Sequence, residues 1–121
     1  MGLDMYAYTV PKGKDPRDDE VKTTDLAYWR KFNALHGWME DLYREKGGTK
    51  PSFNCVPVKL ESEDLAELEL VLENGRLKPR EGFFFGAQEV WPEDVTATLT
   101  FIKEARECLA NGLDVYYDSW W

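Results

Sequence analysis

The order of hydrophobic and polar positions divides the chain into seven segments. Residues 2–10 alternate, with Leu3, Met5 and Ala7 on one side and Asp4, Tyr6 and Tyr8 on the other. A period of two predicts a half-buried strand. Pro11 and Gly13 stop it, and the polar run from residue 11 to 23 predicts a mobile loop. A helix is expected from Thr24 or Asp25 to about Lys46, where Gly47-Gly48 supplies a stop. At 100° per residue its apolar side chains, among them Tyr28, Trp29, Phe32, Leu35, Trp38, Met39 and Leu42, cover about half the circle, which predicts a central helix covered on more than one side.

The short apolar stretch from Pro51 to Val58 predicts a second strand, held to an edge or a bulge by Pro57. Ser62 is the expected cap of a helix that ends at Gly75, with Leu65, Leu68, Val71 and Leu72 as its stripe. Pro92 opens a third helix ending at Asn111-Gly112, with Arg106 inside its apolar arc, where it must snorkel out or pair with a buried acid. Residues 115–121 read as a terminal strand. Together these segments predict one α+β domain over residues 1–121, with three helices on a small, antiparallel sheet that includes the N- and C-terminal strands. The two terminal strands are expected to pair side by side.

Composition narrows the function classes. The 121 residues carry 15 basic and 23 acidic side chains, a formal net charge of −8, which opposes direct binding to nucleic acid or to an anionic membrane face. A hydrophobic fraction of 43% supports a real core. The N-terminus lacks the basic and apolar regions of a secretory signal, and no apolar run approaches the ~18 residues of a membrane span. With two separated cysteines, Cys55 and Cys108, the expectation is a cytoplasmic protein with two reduced, buried thiols, a single bridge between them being the alternative. No ligand spacing for a metal, no phosphate-binding glycine loop and no activated nucleophile stands out, so no metal, cofactor or catalytic residue is assigned.

Three local features bear on function. His36, the sole histidine, lies at the edge of the apolar stripe of the first predicted helix, with Asn33 one turn earlier and Arg30 beyond it. On one helix face these three would form a polar cluster, joined by Asp4 or Asp118 from a terminal strand. That cluster is either a ligand-binding or acid–base site, or a hydrogen-bond network tying helix to sheet. The closing Tyr116-Tyr117-Asp118-Ser119-Trp120-Trp121 places aromatics on both faces of its strand. The strand is either sandwiched between helix layers or presents a docking patch, for which Tyr117, Trp120 and Trp121 are the candidates. Phe84 joins them from Gly82-Phe83-Phe84-Phe85-Gly86, since three consecutive phenylalanines cannot all face one side of a strand. The six acids between Glu61 and Glu73 form either a solvated helix face or an acidic surface that mimics nucleic acid toward a basic partner.

Four stretches taken in order carry a resemblance: Met1-Gly2-Leu3-Asp4-Met5-Tyr6, then Trp29-Arg30-Lys31-Phe32-Asn33-Ala34-Leu35-His36-Gly37-Trp38, then Gly82-Phe83-Phe84-Phe85-Gly86, then Tyr116-Tyr117-Asp118-Ser119-Trp120. Nearly along its whole length the chain resembles a family of short uncharacterised proteins encoded by bacteriophages and by prophage regions of bacterial genomes. The family pattern maps onto Trp29, Arg30, Lys31, Asn33, His36 and Trp38. Asn54-Cys55-Val56-Pro57-Val58 departs from it, where a tyrosine-rich segment without proline is expected. The resemblance implies a bacterial host cytoplasm and a phage-related role, without an activity. The expectation is therefore a small acidic, non-enzymatic binding protein acting through a protein partner. The alternative is a small enzyme or ligand-binding domain built on Arg30, Asn33 and His36, and a virion or assembly component is a third.

Overall fold

A computed structural model describes residues 2–79 and 90–121. Strands β1 (Asp4–Pro11), β2 (Thr24–Arg30), β3 (Val58–Leu60) and β4 (Leu113–Trp120) form one antiparallel sheet in the order β2-β1-β4-β3. Helices α1 (Asn33–Glu45), α2 (Ser62–Glu73) and α3 (Pro92–Ala110) complete the fold. The terminal strands pair as expected, from Asp4 opposite Trp120 to Pro11 opposite Leu113. The expected loop between β1 and β2 is a succession of turns. Lys14 N–H donates to the Pro11 carbonyl, and the Asp15 and Asp18 carboxylates accept from the backbone two residues on.

One sequence expectation fails in the first half. Residues 24–30 are not the start of the first helix; they form edge strand β2, with Met5 opposite Trp29 and Tyr6 opposite Tyr28. Tyr28 and Trp29 sit within a helical arc on paper, but aromatic and β-branched residues suit a pleated surface equally well. The open edge of β1 decides between the two by offering a ladder of backbone hydrogen bonds. A register shift leaves Leu26 between the paired Asp25 and Ala27. This bulge lets both Leu26 and Ala27 pack against the core. The chain then turns through Lys31, whose φ of 57° is left-handed and whose N–H donates to the Leu3 carbonyl.

Two smaller corrections concern the middle of the chain. The second predicted strand is displaced to Val58–Leu60, because Pro57 has no N–H to give the ladder. Upstream, residues 53–55 still follow the edge of β4: Cys55 N–H donates to the Ser119 carbonyl, and the Asn54 amide both accepts from Trp121 N–H and donates to the Trp121 carbonyl. The N-cap of α2 is Glu61 rather than Ser62, and Glu61 N–H donates to the Asp64 carboxylate at 2.9 Å. The same carboxylate receives Lys46 Nζ at 2.6 Å, and Lys46 also donates to the Lys59 carbonyl. One lysine thereby ties the end of α1 to β3 and to α2. The glycine after that end is constrained by packing. A Cβ on Gly48 would lie 2.3 Å from the Tyr43 ring.

Strand alternation sorts the side chains into two layers. Met5, Ala7, Trp29, Val58, Leu60, Val115 and Tyr117 point inward and are buried with Leu35, Met39, Leu68, Phe101 and Ile102 of the helices. Trp29 meets Phe101 edge-on at 5.1 Å, and its Nε1–H donates to Thr98 Oγ1 at 3.0 Å, which fastens β2 to α3. Arg106 leaves the apolar arc and forms a bidentate pair with Glu69 of α2 at 2.8 and 3.0 Å. Both side chains are partly exposed, so its partner is a surface acid and not a buried one. The Gly82–Gly86 segment, with Phe84, lies outside the described residues.

Candidate functional site

The predicted cluster of Arg30, Asn33 and His36 is divided by the fold. Asn33 and His36 share α1 and are buried, whereas Arg30 ends β2 with its side chain in solvent. The predicted helix face does not exist at Arg30, because the strand ends there and the chain turns before the helix begins. Asp4 and Asp118 do not reach His36 either. Alternation places both on the outer face of the sheet, opposite the helices. Arg30 remains near Asp4, with Nε 3.9 Å from Oδ1, but on that outer face.

His36 meets the sheet through a residue that sequence reasoning placed elsewhere. Its Nδ1 shares a 2.6 Å hydrogen bond with the Tyr117 hydroxyl. Its ring packs 5.0 Å from Phe53 and edge-on to Trp121 at 4.9 Å. Burial, and secondarily the nearby Asp118 carboxylate, push the Tyr117 pKa well above its ordinary value, so the hydroxyl keeps its proton. Histidine, tyrosine and the aromatic rings are enclosed, with His36 and Tyr117 both at 0% exposure. A solute cannot touch either ring, and the cluster is a polar tie between α1 and β4. Tyr117 is therefore not part of a docking patch. Trp121 is also largely packed against this cluster, while Trp120 is open at 62%. Cys55 is exposed and Cys108 half-buried, rather than both buried, and neither thiol forms a disulfide. Burial, then Asp118, raises the Cys55 pKa, the opposite of an activated nucleophile.

The opposite face of the sheet carries no helix among the described residues, and aromatic side chains gather there, Tyr28 and Trp120 exposed and Tyr6, Tyr8 and Tyr116 half-buried. Tyr6 and Tyr28 lie 5.4 Å apart across β1 and β2, and Tyr8 stacks on Tyr116 at 6.0 Å across β1 and β4. Trp120 sits opposite Asp4 on the neighbouring strand. Two carboxylates organise these rings. The Tyr28 hydroxyl donates to Asp4 at 2.6 Å, and the Tyr8 hydroxyl donates to Asp118. Tyr28, at 56% exposure, and Trp120 are the most open of them. Tyr6, Tyr8 and Tyr28 were missed as surface candidates. For the first two, the signal was present in the alternation of residues 2–10; for Tyr28 it was hidden by the helical reading.

Asp118 gives this face a pH dependence. Burial raises its pKa, opposed by the Ser119 N–H and the Tyr8 hydroxyl. Because the folded pKa lies above the ordinary 3.8, the folded state binds the proton more readily than the unfolded chain. The contribution to stability is present below the ordinary value and is lost as pH rises through the folded pKa. Asp118→Asn should therefore gain on wild type as pH rises through that window. Urea unfolding of both proteins over a pH series checks this, and a difference that does not change with pH contradicts it.

The acidic run on α2 is partly engaged. Asp64 is bound to Lys46 and Glu69 to Arg106, so the six acids do not form one open array. Among the described residues no helix is long and apolar enough to cross a membrane. The fold and its open face define a two-layer α+β protein with an aromatic sheet surface. No protein-family model, curated protein or solved structure matches the chain.

Proposed function

We propose that this chain is a small acidic binding protein that engages a protein partner through the open face of its sheet. The observation that carries the reading is the placement of Tyr28 and Trp120 on either side of Asp4, more than half exposed, on a sheet face without a helix among the described residues. Tyrosine and tryptophan supply large contact area at low entropic cost and dominate binding energy at interfaces. Neighbouring rings are already held by Asp4 and Asp118, which reduces what binding must order. The net charge of −8 favours a basic partner surface and speeds encounter with it. The resemblance to phage and prophage proteins supports a partner in the bacterial host cytoplasm.

Tyr28→Ala combined with Trp120→Ala tests this. Both side chains are more than half exposed, so the melting temperature should fall only slightly, chiefly through the lost Tyr28–Asp4 hydrogen bond. Capture of a specific host protein by immobilised wild type should fall by about tenfold or more in the double variant. Equal capture by both proteins would exclude this face as the docking surface. The small-enzyme reading built on Arg30, Asn33 and His36 loses its geometric support, since those residues occupy opposite faces of the sheet.

A further inference from the structure

A cleft of about 490 Å³ opens where the β1–β2 loop meets the β3 edge of the sheet and the segment after α1. Its charge runs against that of the whole molecule. Lys14, Arg17, Lys50 and Lys59 line it, against the carboxylates of Asp15 and Asp114. Those two carboxylates are already engaged. Asp15 accepts from Arg17 N–H at 2.9 Å and Arg17 Nε–H at 3.4 Å. Asp114 is buried, accepts from Gly13 N–H at 2.9 Å and lies 3.6 Å from Lys59 Nζ. The Lys14 and Lys50 ammonium groups form no ion pair or hydrogen bond among the described residues. A surplus of two positive charges therefore faces one cleft of a protein whose net charge is −8.

The cleft is shaped by specific contacts. The Pro11–Lys14 turn needs a left-handed third residue, and Gly13 supplies it with φ of 83°. Asp114 clamps that turn to β4 through Gly13 N–H. On the other side, the Tyr43 hydroxyl accepts from Lys50 N–H at 2.9 Å and holds the backbone at Lys50. The rings of Tyr43, Tyr116 and Pro57, with Val56, supply the apolar part of its lining. Tyr116 is itself steadied by its stack on Tyr8.

We propose that this cleft binds a small organic phosphate carrying a flat ring, of the nucleotide class, with Lys14 and Lys50 on the phosphates and the ring between the Tyr116 and Pro57 walls. Three features select that chemistry. The volume falls within the range of about 300–1,000 Å³ typical of small-molecule sites, too small to seat a folded partner. Uncommitted ammonium groups match phosphate oxygens, and a basic cleft in an acidic surface focuses the field on an anion. Aromatic and proline walls favour a planar ring over an aliphatic chain. The inference is separate from the docking reading, since neither Tyr28 nor Trp120 lines the cleft.

Calorimetric titration of the intact chain with ADP, adenosine and inorganic phosphate tests it. ADP should bind more tightly than phosphate, and adenosine should bind least. Lys14→Ala with Lys50→Ala should weaken ADP by about tenfold or more at an unchanged melting temperature, since neither ammonium has a partner among the described residues. The Tyr28→Ala, Trp120→Ala variant should bind ADP as wild type does, which separates this site from the docking face. Absence of ADP binding at millimolar concentration overturns the proposal. So does equal affinity for ADP and phosphate, or undiminished binding by the lysine variant.

Discussion

His36→Ala is expected to lower the unfolding free energy by about 3 kcal/mol or more, a fall of roughly 10 °C in melting temperature. The substitution empties a site enclosed by Phe53, Tyr117 and Trp121 and removes the 2.6 Å hydrogen bond to the Tyr117 hydroxyl. Tyr117→Phe should cost about 1–3 kcal/mol, because Nδ1 of His36 then loses its tyrosine partner in a buried place. The two should not add. In the Tyr117→Phe background His36→Ala should cost about 1 kcal/mol less than in wild type, since the shared hydrogen bond is lost only once. Thermal or urea unfolding of the four proteins measures this directly. A His36→Ala protein as stable as wild type would remove the polar tie and return His36 to the list of ligand-binding candidates.

The second large effect separates two adjacent residues. Trp29→Ala should cost about 3–5 kcal/mol, whereas Tyr28→Ala should cost about 1 kcal/mol or less. Trp29 faces the core, where it packs on Phe101 and donates to Thr98. Tyr28 faces solvent on the outer side of the sheet, with its hydroxyl on Asp4. On a helix beginning at Thr24 both rings would lie within one apolar arc and would cost similar amounts. Equal destabilisation by the two substitutions would therefore contradict the strand between Thr24 and Arg30.

Where local pattern and tertiary demand agree, the elements were legible from the chain. β1 alternates cleanly, and its inward set of Leu3, Met5 and Ala7 is the buried set. The helices that open after Glu61 and Trp91 have acids in their first turns and end at Gly75 and Gly112, as capping and dipole chemistry require. The predicted His36 cluster was legible only in half. Histidine at the edge of an apolar stripe allowed either a polar tie or a ligand site, and its partner was sought among charged residues, whereas Tyr117 supplies it from the inward side of β4. A tyrosine among tryptophans gives no signal of which ring turns inward until the strand has a partner on each side.

The sequence by itself determined the class of fold, the pairing of the two terminal strands and the positions of α2 and α3, because each rests on periodicity and terminal chemistry within one segment. Tertiary structure decided what residues 24–30 become, since an apolar run of that length satisfies either period and the free edge of β1 breaks the tie. It also decided that, among the described residues, the helices cover one face of the sheet, with Tyr6, Tyr28 and Trp120 on the other. Finally, it gathered Lys14, Lys50 and Tyr116 into one cleft. Residues so far apart in the chain share no local pattern; the pairing of β1 with β4 and the hold of Tyr43 on Lys50 bring them together.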